Sequence, residues 1–153
     1  MTDIAPMAAG DIDAVAAIEA RCYRAPWPRQ VFVDELSHPW AHLDVIRAGM
    51  DAGGPPVVVA YASYWLVKDE VHLLNLAVDP AHRRRGHARA LLGHVIAFAE
   101  AHRCRFVTLE VRRSNTAARS LYAGCGFVAV GVRPNYYVQD REDAVVMTLD
   151  FGQ

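Results

Sequence analysis

Residues 75–92, Asn-Leu-Ala-Val-Asp-Pro-Ala-His-Arg-Arg-Arg-Gly-His-Ala-Arg-Ala-Leu-Leu, confine this chain to few architectures. The β-rich run 71–78 ends at Asp79-Pro80, because proline has no N–H to give to a central ladder. From residue 85 to about 102 the apolar positions Ala88, Leu91, Leu92, Val95, Ile96 and Ala99 follow one helical stripe. Between strand and helix lies a short basic loop with a single glycine. The first turn of a helix offers unpaired N–H groups and a partial positive charge, so this succession suits a phosphate or pyrophosphate. Gly86 lets the backbone approach such a ligand, and the small Ala88 leaves it room.

The rest of the chain supplies a sheet around this unit. After an apolar start at residues 4–7, Asp11 is expected to cap a helix whose apolar positions are Ile12, Val15, Ile18 and Cys22. Pro26-Trp27-Pro28 breaks the chain, and Pro28 suits the first turn of a second helix running to about Ser37. Residues 42–48 and 57–67 read as strands joined by a turn at 51–56, and Lys68-Asp69-Glu70 turns into the strand 71–78. Residues 106–111 form a buried strand, Asn115 or Ser114 caps a short helix through Leu121-Tyr122, and Gly124 and Gly126 bracket its exit. Closing strands at 127–132 and 144–149 are separated by a polar loop. With no repeat or linker, residues 1–153 read as a single α/β domain.

Composition excludes several classes. Apolar residues at 53% and charged residues at 22% are those of a globular chain, not a disordered or fibrous one. A formal charge of −1 lacks the basic excess of a nucleic-acid binder, although an RNA role for Arg83-Arg84-Arg85 would announce itself by steep salt dependence. The three cysteines, Cys22, Cys104 and Cys125, lack metal spacing, and the histidines show no H-x-x-x-H, so neither a disulfide framework nor a metal site is expected. No run reaches the ~18 apolar residues of a spanning helix, and the acidic start Met1-Thr2-Asp3 is unlike a signal peptide. A cytoplasmic protein with no membrane partner is expected.

Arg83-x-x-Gly86-x-Ala88, set between strand and helix, resembles the acetyl-CoA loop of the GNAT superfamily of N-acetyltransferases, Gln/Arg-x-x-Gly-x-Gly/Ala. Asn115, Ala118, Leu121, Tyr122, Gly126 and Phe127 match its second signature, Asn-x-x-Ala-x-x-Leu-Tyr-x-x-x-Gly-Phe. The resemblance implies the GNAT fold: a mixed, mostly antiparallel central sheet of about seven strands, helices on both faces, and a splay between strands 4 and 5. It implies acetyl-CoA as cosubstrate, its phosphates at Arg83, Arg84, Arg85, Gly86, His87, Ala88 and Arg89 and its pantetheine arm along the backbone of Leu76, Ala77 and Val78. The Val78 N–H would steady the oxyanion, and Asn115 would contact the cofactor.

Glu110 sits near the end of an otherwise apolar strand, and Tyr122 follows twelve residues later on a short helix. An amine attacks only when neutral, and an α-amine of pKa ~8 needs less deprotonation than a lysine at ~10.4. Glu110 can take that proton directly or through water. A phenol near ~10 is a suitable acid for a thiolate whose conjugate acid is near ~8.5. The same residues also read as a salt bridge between Glu110 and Arg112 and as a core aromatic satisfying its own hydroxyl.

Ala25-Pro26-Trp27, Leu109-Glu110-Val111-Arg112, Arg133-Pro134-Asn135-Tyr136-Tyr137 and Arg141-Glu142-Asp143-Ala144 are similar to one branch, the bacterial ribosomal-protein-alanine N-acetyltransferases of RimI type. That likeness implies a protein N-terminus as partner, the N-terminal alanine of a small-subunit ribosomal protein, with Glu110 as base and Tyr122 as acid. Trp27, Tyr136 and Tyr137 become candidate substrate contacts and read equally as packing, while Asp143 reads equally as the partner of a nearby arginine. Two departures touch the acceptor groove: Val138-Gln139-Asp140 is short and lacks proline and glycine, and Ala25 stands where phenylalanine often precedes the proline. Wider N-terminal, lysine or small-amine acceptors, and a non-catalytic acetyl-CoA-binding module, remain open on the sequence. A covalent acyl-Cys125 is disfavoured, since no histidine partner is evident.

Overall fold

The computed structural model describes residues 3–49 and 53–152, so the expected turn at 51–56 lies partly outside the described residues. Among the described residues lie seven strands, β1 (Asp3–Pro6), β2 (Ala41–Ala48), β3 (Val57–Val67), β4 (Glu70–Val78), β5 (Phe106–Arg112), β6 (Val128–Tyr137) and β7 (Glu142–Asp150), with helices α1 (Ile12–Cys22) and α2 (Arg29–Glu35) between β1 and β2, α3 (His87–Ala101) between β4 and β5, and α4 (Thr116–Gly124) between β5 and β6. The strands join in one sheet in the order β1-β2-β3-β4-β5-β7-β6. Neighbours β1/β2, β2/β3, β5/β7 and β6/β7 are antiparallel, and β4/β5 is parallel. The parallel ladder runs from Glu70↔Phe106 to Leu73↔Leu109, and the strands continue past it without further pairs, which is the expected splay.

Contacts divide the chain into two units, Met1–Trp65 with Asn75–Val95, and Leu66–Leu74 with Ile96–Gln153. In the first, the three-residue spacing of Ile12, Val15 and Ile18 puts them on one face of α1. They pack with Met7, Phe32, Leu43, Val45, Tyr61 and Ala77 in one buried cluster. Tyr61 meets Phe32 edge-on at 5.8 Å. Each large apolar side chain among them contributes about 2 kcal/mol of transfer free energy. Asp11 does stand at the N-cap position of α1, but its carboxylate does not cap that helix. It instead accepts from the Ala8 N–H at 2.9 Å and pairs with Arg47 at 2.5 Å. Pro28 precedes α2 as its extended N-cap rather than entering the first turn, and α2 ends at Glu35.

In the second unit β5 alternates cleanly: Val107, Leu109 and Val111 are buried, while Thr108, Glu110 and Arg112 face the other way and stay partly exposed. β6 is the terminal strand, and nearly all of it is exposed. The closing strands are longer than the sequence suggests, for β6 reaches Tyr137 and β7 starts at Glu142. Pro134, inside β6, cannot donate to a ladder. The chain absorbs it in a register irregularity between Arg133 and Tyr137. There Asn135 takes φ +52° and its N–H donates to Asp143 Oδ1 at 2.9 Å.

All three cysteines are free thiols, with Cys104 buried. Among the described residues no helix is long and apolar enough to cross a membrane, and no cluster of His, Cys, Asp and Glu is placed to hold a metal ion.

Candidate functional site

In the first unit the basic loop is shaped by its backbone. Asp79 accepts from the Ala81 N–H at 3.1 Å and starts a single 3-10 turn over Pro80–His82. Arg83 then runs extended, Arg84 takes φ +65° and Gly86 takes φ +81°. The left-handed region makes glycine the favoured residue at 86. Because the Gly86 carbonyl accepts from the Ala90 N–H at 3.0 Å, α3 begins at His87, and Arg85 and Gly86 belong to the loop rather than to the expected helix. His87, Ala88 and Arg89 form the first turn, where N–H groups have no intrahelical partner.

His87 Nδ1 is sealed from solvent and has no hydrogen-bond partner. Burial lowers the His87 pKa first, and the charges of His82 and Arg85 lower it further, so the ring is neutral near pH 7. An orphaned polar atom at a helix start, beside three consecutive arginines, is a donor set that fits an anionic ligand rich in hydrogen-bonding groups.

The end of β4 is covered by the last turn of α1. Asn75 Nδ2 donates to Glu19 Oε1 at 2.8 Å, Arg21 pairs with Asp79 at 2.9 Å, and the Cys22 thiol donates to the Val78 carbonyl at 3.3 Å. The Tyr23 hydroxyl donates to the Leu76 carbonyl at 3.0 Å and accepts from the Leu76 N–H at 3.3 Å. Glu19 is 1% exposed and also accepts from the Tyr61 hydroxyl and, at 2.9 Å, from the Trp27 N–H. Trp27 itself is half-buried, its ring tilted on Phe32 at 5.5 Å. Sequence reasoning missed Glu19 and Tyr23. The signal for Glu19 was present, because Val15, Ile18, Glu19 and Cys22 follow the inward spacing of the helix and only the glutamate is charged.

In the second unit Glu110 keeps a carboxylate 26% exposed, with Arg133 Nη2 at 4.0 Å. Arg112 is not its partner: that guanidinium reaches Asp140 at 2.7 Å and Glu142 at 3.1 Å. Tyr136 and Tyr137 meet edge-on at 5.2 Å, with Arg133 over Tyr136 at 5.7 Å and Arg112 over Tyr137 at 4.1 Å. Burial, chiefly, and then Tyr136, Glu110 and Glu142 push the Tyr137 phenol up to about 12 against the opposing pull of Arg112. Glu110, Arg133, Tyr136 and Tyr137 thus share one side of this unit. Asp143 pairs with Arg113 at 3.3 Å.

Tyr122 is 7% exposed and packs on Phe127 at 5.8 Å. No partner of its hydroxyl is found among the described residues. Burial, assisted by Tyr137, raises its pKa well above the ordinary phenol range. Asn115, rather than Ser114, caps α4: its Oδ1 accepts from the Ala118 N–H at 3.2 Å, while the Ser114 N–H donates to Glu142 at 2.7 Å.

Comparison with known proteins identifies the family of this arrangement. The model of the acetyltransferase (GNAT) family matches residues 12–127. The chain is 36% identical to the [ribosomal protein bS18]-alanine N-acetyltransferase of Escherichia coli strain K12, over 97% of each sequence. It is 35% identical to the N-alpha-acetyltransferase RimI of Mycobacterium tuberculosis, over 97% of this chain and 92% of that one. The crystal structure of the ribosomal-protein-S18-alanine N-acetyltransferase from Escherichia coli superposes with a TM-score of 0.85 at 34% identity, covering 100% of this chain and 96% of the other.

Proposed function

This chain belongs to the GNAT family of acetyltransferases, and from that premise we propose that it transfers the acetyl group of acetyl-CoA to the N-terminal alanine of a small-subunit ribosomal protein. The observation that carries the chemistry is a matched pair in the second unit. Glu110 is a partly exposed carboxylate beside two tyrosines, and Tyr122 is a buried phenol with an unbonded hydroxyl. The acceptor is supported by likeness to the bS18-alanine enzymes over almost the whole chain.

Acetyl-CoA supplies an activated thioester, and the residues act around it. The first turn of α3 and Arg83, Arg84 and Arg85 hold its phosphates, an assignment supported by the positive φ of Gly86 and the unpaired Nδ1 of His87. Ala88 and Arg89 complete that turn. The backbone of Leu76, Ala77 and Val78 lies along the pantetheine arm, and the Asn115 amide group, whose Oδ1 is spent on the cap, donates to the cofactor. Glu110 accepts the ammonium proton of the acceptor, directly or through a water. As the nitrogen bonds to the carbonyl carbon, the Val78 N–H donates to the developing oxyanion. When the carbon–sulfur bond breaks, Tyr122 would give its proton to the thiolate, a role supported by the burial that keeps the phenol protonated, and the second proton that the nitrogen sheds on becoming an amide restores the phenol. Trp27, Tyr136 and Tyr137 contact the acceptor peptide.

The family match crosses both units, which supports one N-acetyltransferase domain over residues 1–153. A cytoplasmic location, without direct nucleic-acid or membrane partners, suits a ribosomal-protein acceptor and three free thiols. The test is acetyl transfer to short peptides that differ only in the first residue, with an N-blocked lysine peptide as control. Strong preference for free N-terminal alanine is expected. Equal rates across first residues make the enzyme a broad N-terminal acetyltransferase, and activity only on the blocked lysine peptide overturns the α-amine reading.

A further inference from the structure

Tyr23 directly follows α1 with extended backbone, φ −120° and ψ 143°. Its hydroxyl holds both polar groups of one strand residue, donating to the Leu76 carbonyl at 3.0 Å and accepting from the Leu76 N–H at 3.3 Å. A phenol has one proton to give, and here it is spent on Leu76. The turn that presents the ring is pinned on both sides of Leu76 by the Glu19–Asn75, Arg21–Asp79 and Cys22–Val78 contacts at 2.8, 2.9 and 3.3 Å. One turn of α1 and the residue after it therefore grip three residues at the end of β4 and Asp79 just beyond it. The Asp79 N–H donates to the Val59 carbonyl of β3 at 2.8 Å. Strand alternation then directs the N–H and C=O of Leu76 and Val78 to the edge of β4 away from β3.

We propose that Tyr23 sets the affinity for the acyl donor by competing with it for the Leu76 amide pair. This rests on the reading that the pantetheine arm pairs with the backbone of Leu76, Ala77 and Val78. A strand residue has one N–H and few acceptor directions on a given edge, so the arm and the phenol cannot both pair fully with Leu76. Binding then exchanges hydrogen bonds instead of adding them, and the Tyr23 ring leaves the strand as the arm arrives. The ring precedes Trp27 by four residues on the same connection between α1 and α2, so the exchange is felt on the segment that carries a candidate acceptor contact.

The test uses the full chain and CoA, with Tyr23→Phe, which keeps the ring and deletes the competing hydroxyl. Calorimetric titration is expected to show CoA binding tightened on the order of 3- to 10-fold, the range of one or two net hydrogen bonds. The backbone amide resonance of Leu76 is expected to differ between wild type and variant without CoA and to converge at saturation, when both proteins pair the same groups with the ligand. Unchanged or weaker binding overturns the proposal. If CoA binds wild type while the Leu76 and Val78 amides stay unmoved, the pairing along β4 fails and the proposal with it. If those amides move but the affinities match, only the competition fails. Should Tyr23→Phe not fold, wild type alone decides, because the Tyr23 ring signals must shift on saturation with CoA, and ring signals that stay in place overturn the competition.

Discussion

The guanidinium of Arg112 lies 4.1 Å above the ring centroid of Tyr137 while its Nη1 bridges Asp140 at 2.7 Å and Glu142 at 3.1 Å. One cation at the end of β5 thus fastens the β6–β7 hairpin on both sides of its turn. Glu142 extends the fastening, since it also accepts from the Ser114 N–H at 2.7 Å, just before α4. Hydrogen bonding from Ser114, and then Arg112, holds its carboxyl below the usual glutamate range. Removing Arg112 releases the turn that carries Tyr137, with about 1 kcal/mol lost from the ring contact alone. Arg112→Ala is expected to raise the peptide KM on the order of 10-fold while kcat falls far less. Steady-state kinetics at saturating acetyl-CoA measure the split, and an unchanged peptide KM would separate the hairpin from the acceptor.

In the proposed mechanism Glu110 and Tyr122 act only on protons, so replacing them should leave ligand binding intact. Glu110→Gln and Tyr122→Phe are each expected to lower kcat on the order of 100-fold or more, with CoA affinity within a factor of about two of wild type. Gly86→Glu is expected to lose CoA binding instead. At φ +81° a side chain at 86 is strained, although an added Cβ would meet no atom within 4 Å, and the new carboxylate would repel phosphates at the start of α3. Wild-type turnover by both proton-transfer variants would remove the assigned mechanism.

Burial keeps Tyr61, Tyr64 and Tyr122 protonated well above the ordinary tyrosine range and pushes Tyr137 up to about 12. The native state therefore keeps these protons in a range where an unfolded chain, with phenols near ~10, has released them. Their stabilisation is complete below ~10 and is lost as pH rises from there through the folded values. Tyrosinate absorbance is expected to show these four phenols silent as pH passes ~10.5 and ionising together as the fold opens. The kcat profile should likewise lack an alkaline fall at ~10 from Tyr122. Independent titration of all six tyrosines near ~10 would refute the burial argument.

The parts legible in the sequence were those governed by local periodicity and backbone chemistry. The stripe of Leu91, Leu92, Val95 and Ala99 located α3, and Asp79-Pro80 located the end of β4. Gly86 marked the loop between them, and the structure adds that its backbone takes φ +81°. The full extent of β6 was not legible, because the rule that keeps proline out of a ladder does not say whether a chain leaves the strand at Pro134 or bulges within it. The choice is made by Asp143, which receives the Asn135 N–H from the facing strand. The pairing of Glu110 was illegible for a similar reason. Arg112 is nearer in sequence and on the same strand face, but Asp140 and Glu142 claim it across the hairpin. Tyr23 and Leu76 are separated by 53 residues, and no local pattern announces their bond.

Glu19 joins three elements through a carboxylate that almost no solvent reaches. It accepts from the Trp27 N–H ahead of α2, from the Tyr61 hydroxyl on β3 and from Asn75 on β4. No arginine or lysine is among those partners, so the carboxylate is held by oriented donors alone. Glu19→Ala would leave all three donors facing a small cavity, at a cost of about 3 kcal/mol or roughly 10 °C in Tm for a domain this size. Glu19→Gln keeps one acceptor oxygen but turns an amide N–H₂ toward groups that are themselves donors, so it should recover part of the loss and not all of it. Urea denaturation of the two variants orders them. A Gln variant as stable as wild type would mean that shape, not accepting capacity, is what position 19 supplies. An Ala variant within about 1 kcal/mol of wild type would mean that water satisfies the donors in place of the carboxylate.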